Sequence, residues 1–323
     1  MSLTIIKAVY GGKDVTDIVA SHIHDNSIHM VVGHVLFGDP QPFVVKYTSI
    51  TYELNGNTYT QVFEEQTLFS VNARIDYIPI SCKCITYGRV EYLEESLASF
   101  LKQEYTGEYE MVIINDYPLQ KLHFNHPKVR IYNLDFTFET IGEKENFAVS
   151  ACKHDTIAVW DDDDLALPNH LSNINKYFTP FELLHWSNAI AFNNKTIATL
   201  GQVGNSGIVY NKSLWRRVGG HAFENAGYDT TFVNKATRAG ARIQRAVPPN
   251  DEVSWLYCWG NGSYHMSGMG ADDGNKPNVL VRHAEHIEYL RQQGKIPTGD
   301  VELNPTWKKD YSKMLKDYTA KNS

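Results

Sequence analysis

The chain has 323 residues, of which 42% are hydrophobic and 21% charged, and carries a formal net charge of -7. Such a composition supports a packed core and excludes a disordered or fibrous chain, and the negative balance argues against a protein that coats nucleic acid. No apolar run reaches the roughly 18 to 20 residues that span a bilayer. The opening MSLTIIKAVYGGKDVTD has no basic stretch followed by an apolar one, so the expectation is a soluble, cytoplasmic protein with no transmembrane segment. The four cysteines, Cys82, Cys84, Cys152 and Cys258, form no C-x-x-C pair and are expected to be reduced structural thiols.

Up to residue 75 the chain alternates short β-branched runs (SIHMVVGHVLF, FVVKYTSITYEL, TYTQVFEEQTLFSV) with turn signals such as YGGKD, FGDPQP and LNGN. That pattern predicts a small all-β, sandwich-like module over residues 1–75. From residue 77 the period changes. YIPISCKCITY predicts a buried strand, and EYLEESLASFLKQ puts Leu93, Leu97, Phe100 and Leu101 on one helical face. EMVIIND follows as a second strand, which makes a βαβ unit with parallel strands and a right-handed crossover. In such sheets ligands bind beyond the carboxyl ends of the strands, where TYGR and NDYP fall. DTIAV predicts a further buried strand that delivers Asp161, Asp162, Asp163 and Asp164 to the same edge.

Four adjacent carboxylates repel one another, and three uses are open at this stage. Asp164 could cap a helix beginning near LPNHL, with Pro168 in its first turn. The group could bind a hard divalent cation, Mg2+ or Mn2+, with phosphate oxygens completing the shell. A calcium loop is a third use, although the alternating ligands, central glycine and closing glutamate are missing.

CITYGRVEYLEESLASFLKQEY, EMVIINDYP and GEKENFAVSACKHDTIAVWDDDDLALPNHL, taken in that order, resemble the nucleotide-sugar half of a GT-A fold glycosyltransferase of the family 2 type over roughly residues 77 to 270. The resemblance implies an α/β fold: a Rossmann-like, mostly parallel sheet with helices on both faces over residues 76–275. The all-β module precedes it, and a helical extension at 276–323 packs on it. It implies that Thr86, Tyr87 and Arg89 meet the nucleotide, with Gly88 in place of the usual asparagine, and that Asp116 bonds the base. Lys144, Glu145 and Asn146 stand where the family has Ala-Arg-Asn, so Lys144 and Asn146 fall near the sugar-diphosphate, whereas Glu145 would repel phosphate where arginine grips it. Asp163 is implied as the metal ligand with Asp161 or Asp162 toward the ribose, a register ambiguous by one. The small module's AVYGGKDVTDIV and LFGDPQPFVVKYTSITY resemble a β-rich module at the C-terminal end of some DnaJ-type proteins, which implies an accessory or interaction role.

GNSGIVYNKSLWRRVGGHAFENAGYDTTFVNKATRAGARI resembles the family's acceptor segment, with Tyr228-Asp229 in place of the usual Glu-Asp. Asp229 is therefore the expected catalytic base, Glu224 the reserve, and helix capping the alternative use of Asp229. In CWGNGSYHMSGMG, His265 is implied as an additional metal ligand. Trp186, Trp215 and Trp259 read as core or as sugar-stacking surface. NVLVRHAEHIEYLRQQG predicts a helix, and WKKDYSKMLKDYTAKNS one with Tyr311, Met314, Leu315 and Tyr318 on a docking face. The expected activity is metal-dependent inverting transfer from a nucleotide-diphosphate sugar, UDP-linked in the first instance. The acceptor stays open among glycan, protein and modified nucleic acid. A non-catalytic nucleotide-sugar-binding scaffold and a nucleotidyltransferase are the alternatives; against the latter, no Gly-x-Gly-x-x-Gly loop follows the first strand.

Overall fold

The computed structural model describes residues 3–24, 26–54, 56–72, 77–186, 189–193, 196–200, 207–246, 248, 252–258 and 279–322. The chain divides into two compact units, Met1–Asp76 and Tyr77–Ser323.

The small unit holds two antiparallel sheets. One runs in the order Lys13–Asp14, Leu3–Tyr10, Tyr47–Leu54, Asn57–Glu64, and the other Ile23–His24, Ser27–Val32, Thr67–Asn72. Alternation along Leu3–Tyr10, Ser27–Val32 and Tyr47–Leu54 sends every second side chain inward. A register shift between Ile5 and Lys7 inserts one residue, so Leu3 and Ile5 and then Ala8 and Tyr10 all reach the same core. There they pack with Ile28, Met30, Val32, Ile50, Tyr52, Phe69 and Val71.

The large unit is built on a seven-stranded sheet in the order Val129–Asn133, Tyr109–Asn115, Ile80–Thr86, Thr156–Val159, Val209–Asn211, Leu183–Trp186, Ile243–Ala246. The first four strands are parallel, Val209–Asn211 runs against both neighbours, and the last two are parallel to each other. Every residue of Tyr109–Asn115 is buried, as expected of a parallel strand covered on both faces. Alternate residues feed two cores. Cys82, Cys84, Met111 and Ile113 pack under helices Val90–Leu101 and His170–Phe178, with Leu93, Leu97 and Phe100 supplying the predicted apolar face. Val112, Ile114, Ile157 and Val159 pack on the other side under helices Ile141–Ala151, Lys212–Arg217 and Tyr228–Arg238. All four cysteines are free and buried.

A second sheet joins Leu165–Ala166, Trp255–Cys258, Ala189–Asn193 and Thr196–Leu200. Gln120–His123 pairs in parallel with Gly299–Glu302, and the chain then runs along helix Val90–Leu101. Glu94 accepts the Asn304 amide at 2.7 Å, Glu95 accepts the Lys308 amide at 2.9 Å and the Tyr311 hydroxyl at 2.8 Å, and the Trp307 indole donates to Ser99 at 2.9 Å. Helix Tyr311–Asn322 sets Tyr311 and Leu315 against Leu165, Leu167, Val253 and Leu256. No helix among the described residues is long and apolar enough to cross a membrane.

Candidate active site

Three parallel strands end side by side, and each delivers a polar turn. After Ile80–Thr86 the chain bends through Tyr87 and Gly88 to Arg89, the residue preceding helix Val90–Leu101. Gly88 has φ +68°, and a Cβ there would come within 2.8 Å of Ile287 Cγ2. Left-handed backbone and close approach together explain glycine at this turn. Tyr109–Asn115 ends at Asp116 and Tyr117, whose ring lies 4.9 Å from that of Tyr87. Thr156–Val159 ends at Trp160 and the four aspartates. Between these turns lies a cavity of about 280 Å³, lined in part by Thr86, Tyr87, Arg89, Asp116, Phe138 and Lys144.

The aspartates do not act as one acidic patch. Arg89 grips Asp162 with two nitrogens, Nε at 3.0 Å and one terminal nitrogen, and donates its other terminal nitrogen to Asp163 Oδ2 at 2.9 Å. This planar fork is the geometry guanidinium offers to carboxylates. Asp162 and Asp164 are fully buried. Burial and the neighbouring charge of Asp163 push the carboxyl of Asp161 up, and burial, opposed by Arg89, pushes that of Asp162 up. Asp164 is raised as well, by burial and then by Asp163 and Asp161. Asp164 is no helix cap: the following helix begins at His170 after Asn169, and Asp164 Oδ1 instead accepts the Cys258 amide at 2.9 Å. Its Oδ2 is buried with no hydrogen-bond partner among the described residues.

Helix Ile141–Ala151 begins with a capping box between Thr140 and Glu143 and brings three consecutive side chains to three different places. Lys144, buried, donates to the Thr86 carbonyl at 2.7 Å and pairs with Asp116, whose second oxygen accepts the Phe138 amide at 3.1 Å. Glu145 points under the sheet and pairs with Lys83, both side chains being at most 2% exposed. The repulsion of phosphate expected from a glutamate here is thus absorbed by a lysine one strand below. Asn146 turns toward the acceptor segment: its oxygen accepts the Trp215 indole at 2.9 Å and the His221 amide at 2.8 Å, and its nitrogen donates to the His221 carbonyl at 3.0 Å. It holds the Gly219–Gly220 turn.

That turn leads to helix Tyr228–Arg238. Asp229 lies inside its first turn after Gly227 and accepts its neighbour Thr230's amide at 2.7 Å; Glu224 is exposed and accepts the Thr231 hydroxyl at 3.1 Å. Gly142 fixes this loop on the donor side, because a Cβ there would overlap the Ala222 carbonyl oxygen, and its amide donates to Glu224 at 3.1 Å. Burial pushes the Tyr228 phenol well up, and the charges of Glu145, Asp161 and Asp229 add to this. Tyr228 therefore stands in the field of both the aspartate run and Asp229, a role the sequence did not signal.

Helix Val279–Gln292 supplies a further wall through Val281, His283 and Ala284. His283 is buried, its ring 5.9 Å from that of Tyr87, and burial with the nearby cations Arg89 and Lys144 drives its pKa down to about 3. The spacing His283, Ile287, Leu290 was the available sequence signal for this wall. Trp186 belongs to the core. His265 and Trp259, with the rest of 259–270, lie outside the described residues. Among those described, no three His, Cys, Asp or Glu side chains converge as a metal group. The aspartates nevertheless suit a hard cation: oxygen donors whose mutual repulsion Arg89 offsets with a single charge.

A mostly parallel sheet with one reversed strand, helices on both faces, and cations and aspartates at the strand ends make a GT-A-like α/β arrangement. Residues 83–183 match the family described as Glycosyl transferase family 2. No curated protein matches the chain. Among solved structures, S. aureus TarS 1-349 in complex with UDP-GlcNAc is similar at 14% identity and TM-score 0.46, covering 67% of this chain and 75% of that one. The mannosyltransferase PcManGT from Pyrobaculum calidifontis, in complex with GDP-Man and Mn2+, is similar at 16% identity and TM-score 0.46, covering 69% and 67%.

Proposed function

We propose that the protein moves a sugar from a nucleotide-diphosphate donor, UDP-linked, onto an acceptor hydroxyl with inversion at the anomeric carbon. The observation that carries this reading is the cavity lined by Asp116, Lys144 and Arg89, in which Lys144 pairs with Asp116 while Arg89 reaches from its wall to Asp162 and Asp163. Asp116 keeps lone pairs for an N–H of the base after accepting from Lys144 and Phe138, and the Tyr87 ring offers it a flat apolar face. Arg89 and Lys144 supply positive charge for the diphosphate. A divalent cation, Mn2+ or Mg2+, held by Asp163 with Asp161 beside it would stabilise the departing diphosphate charge. Asp229 takes the proton from the acceptor oxygen as that oxygen attacks opposite the leaving group.

The test is a thermal-shift panel of UDP-, GDP-, CMP- and dTDP-sugars, each with Mn2+ and with chelator. Ligands that bind only the folded state raise its melting temperature, so UDP-sugars with Mn2+ should shift it and the others should not. No shift with any nucleotide would remove the donor site; a shift without release of nucleotide diphosphate would leave a binding scaffold.

A further inference from the structure

The strand Asn57–Glu64 closes one end of the four-stranded sheet and, among the described residues, pairs only with Tyr47–Leu54. Register pairs Tyr59 with Tyr52, Gln61 with Ile50 and Phe63 with Thr48, so all three stand on the face whose next strand is buried in the core. Yet Tyr59 and Gln61 are exposed and Phe63 is only half-buried. The inner face of this sheet therefore extends past its cover. Such edges are normally blunted by proline, lysine, a bulge or a short strand. NTYTQVFE is eight residues long, has none of those residues, and keeps an unbroken register with its neighbour.

We propose that this edge is the seam of a homodimer. The strands of two copies pair antiparallel about a two-fold axis through Gln61 and join two sheets into one. A two-fold axis perpendicular to a sheet keeps its faces, so residues of like parity oppose each other. Centring on Gln61 sets Tyr59 of each copy against Phe63 of the other on the inner face, and Thr60 against Val62 and Thr58 against Glu64 on the outer face. Aromatic cross-strand pairs are the stronger sheet contacts, and the strand's single charge meets a hydroxyl rather than a second carboxylate. Centring on Thr60 instead would oppose Tyr59 with Gln61 and lose both aromatic pairs. The pattern thus selects a second copy of this chain and one register.

The experiment is sedimentation velocity of the full chain at micromolar concentration, with two variants. Wild type should sediment as a dimer. Gln61→Lys, which sets two cations face to face on the axis, should weaken association by about tenfold or more, with an unchanged circular dichroism spectrum and melting of the monomer. Gln61→Cys should form a cross-linked dimer on mild oxidation, since opposed Cα atoms lie about 4.5–5.5 Å apart in such pairs and the native thiols are all buried. A wild-type monomer overturns the proposal. So does a dimer that ignores Gln61→Lys and fails to cross-link through Gln61→Cys.

Discussion

Lys83, on strand Ile80–Thr86, and Glu145, on helix Ile141–Ala151, form an ion pair sealed between sheet and helix, with neither side chain more than 2% exposed. Breaking a buried pair leaves one uncompensated charge in a poorly polarisable interior. Glu145→Gln and Lys83→Met should each cost about 3–5 kcal/mol. The double variant Lys83→Met/Glu145→Leu should recover most of that loss. Urea unfolding at constant m-value measures all three.

Asp163→Asn should remove metal-dependent nucleotide binding while leaving the fold intact. Calorimetric titration of a UDP-sugar with and without Mn2+ reads this directly. Equal Mn2+-dependent affinity in variant and wild type would take Asp163 out of the metal shell.

Asp229→Asn should keep donor affinity and lower nucleotide-diphosphate release by about a hundredfold or more, the usual contribution of a general base. Glu224→Gln should stay near wild type. A reversal of these two results would reassign the base to the residue that accepts the Thr231 hydroxyl.

Gly88→Ala should destabilise the large unit through two separable effects. Left-handed backbone costs a residue with a Cβ about 1–2 kcal/mol, and the clash with Ile287 Cγ2 adds to it. In an Ile287→Leu background, which removes the branch at nearly constant volume, only the backbone share should remain. A full double-mutant cycle by chemical unfolding separates the two.

The share of stability carried by the buried histidines should fall as the pH drops below about 6.5, where unfolded histidines begin to take up protons, while the raised carboxyls of Asp161, Asp162 and Asp164 act in the opposite sense. Burial lowers the pKa of His170 to about 3 and of His221 to about 4. At these two sites the unfolded chain therefore binds more protons than the folded one between those values and 6.5, and their contribution to stability rises with pH across that window. His170→Gln should flatten the acid limb by one histidine's share. It should also lower stability at neutral pH, because the His170 ring packs 5.0 Å from Trp255 and 5.3 Å from Trp186. Unfolding midpoints between pH 4 and 7 test the slope.

The strands and helices around the cavity were legible because period and burial agree: a continuous apolar run at residues 111–114 and a clean helical face at Leu93, Leu97 and Phe100. The turns carrying Arg89, Asp116 and the aspartates followed from the rule that strand ends bear ligands. What did not follow were pairings made across the chain. Arg89 reaches Asp162 over 73 residues, and Lys83 reaches Glu145 over 62. Nothing local distinguishes these from solvated charges. Glu145 looked like a loss of phosphate affinity because it stands where the family it resembles has arginine, whereas the helix turns it away to Lys83. Asp164 looked like a cap because Pro168 marks a helix start, but the first turn opens beyond it at His170. His283 was hidden because a single histidine on an apolar helix face reads as core.

The strap formed by Asn304, Trp307, Lys308 and Tyr311 on helix Val90–Leu101 imposes an order on biosynthesis. That helix starts directly after Arg89, and Glu94 and Glu95, which the strap engages, lie in its second turn. On a translating ribosome the strands Ile80–Thr86, Tyr109–Asn115 and Thr156–Val159 emerge more than a hundred residues before the strap can reach them. Until then the carboxylates of Glu94 and Glu95 stand in water without those partners. The strap is therefore among the last contacts that this helix can gain as the chain is synthesised.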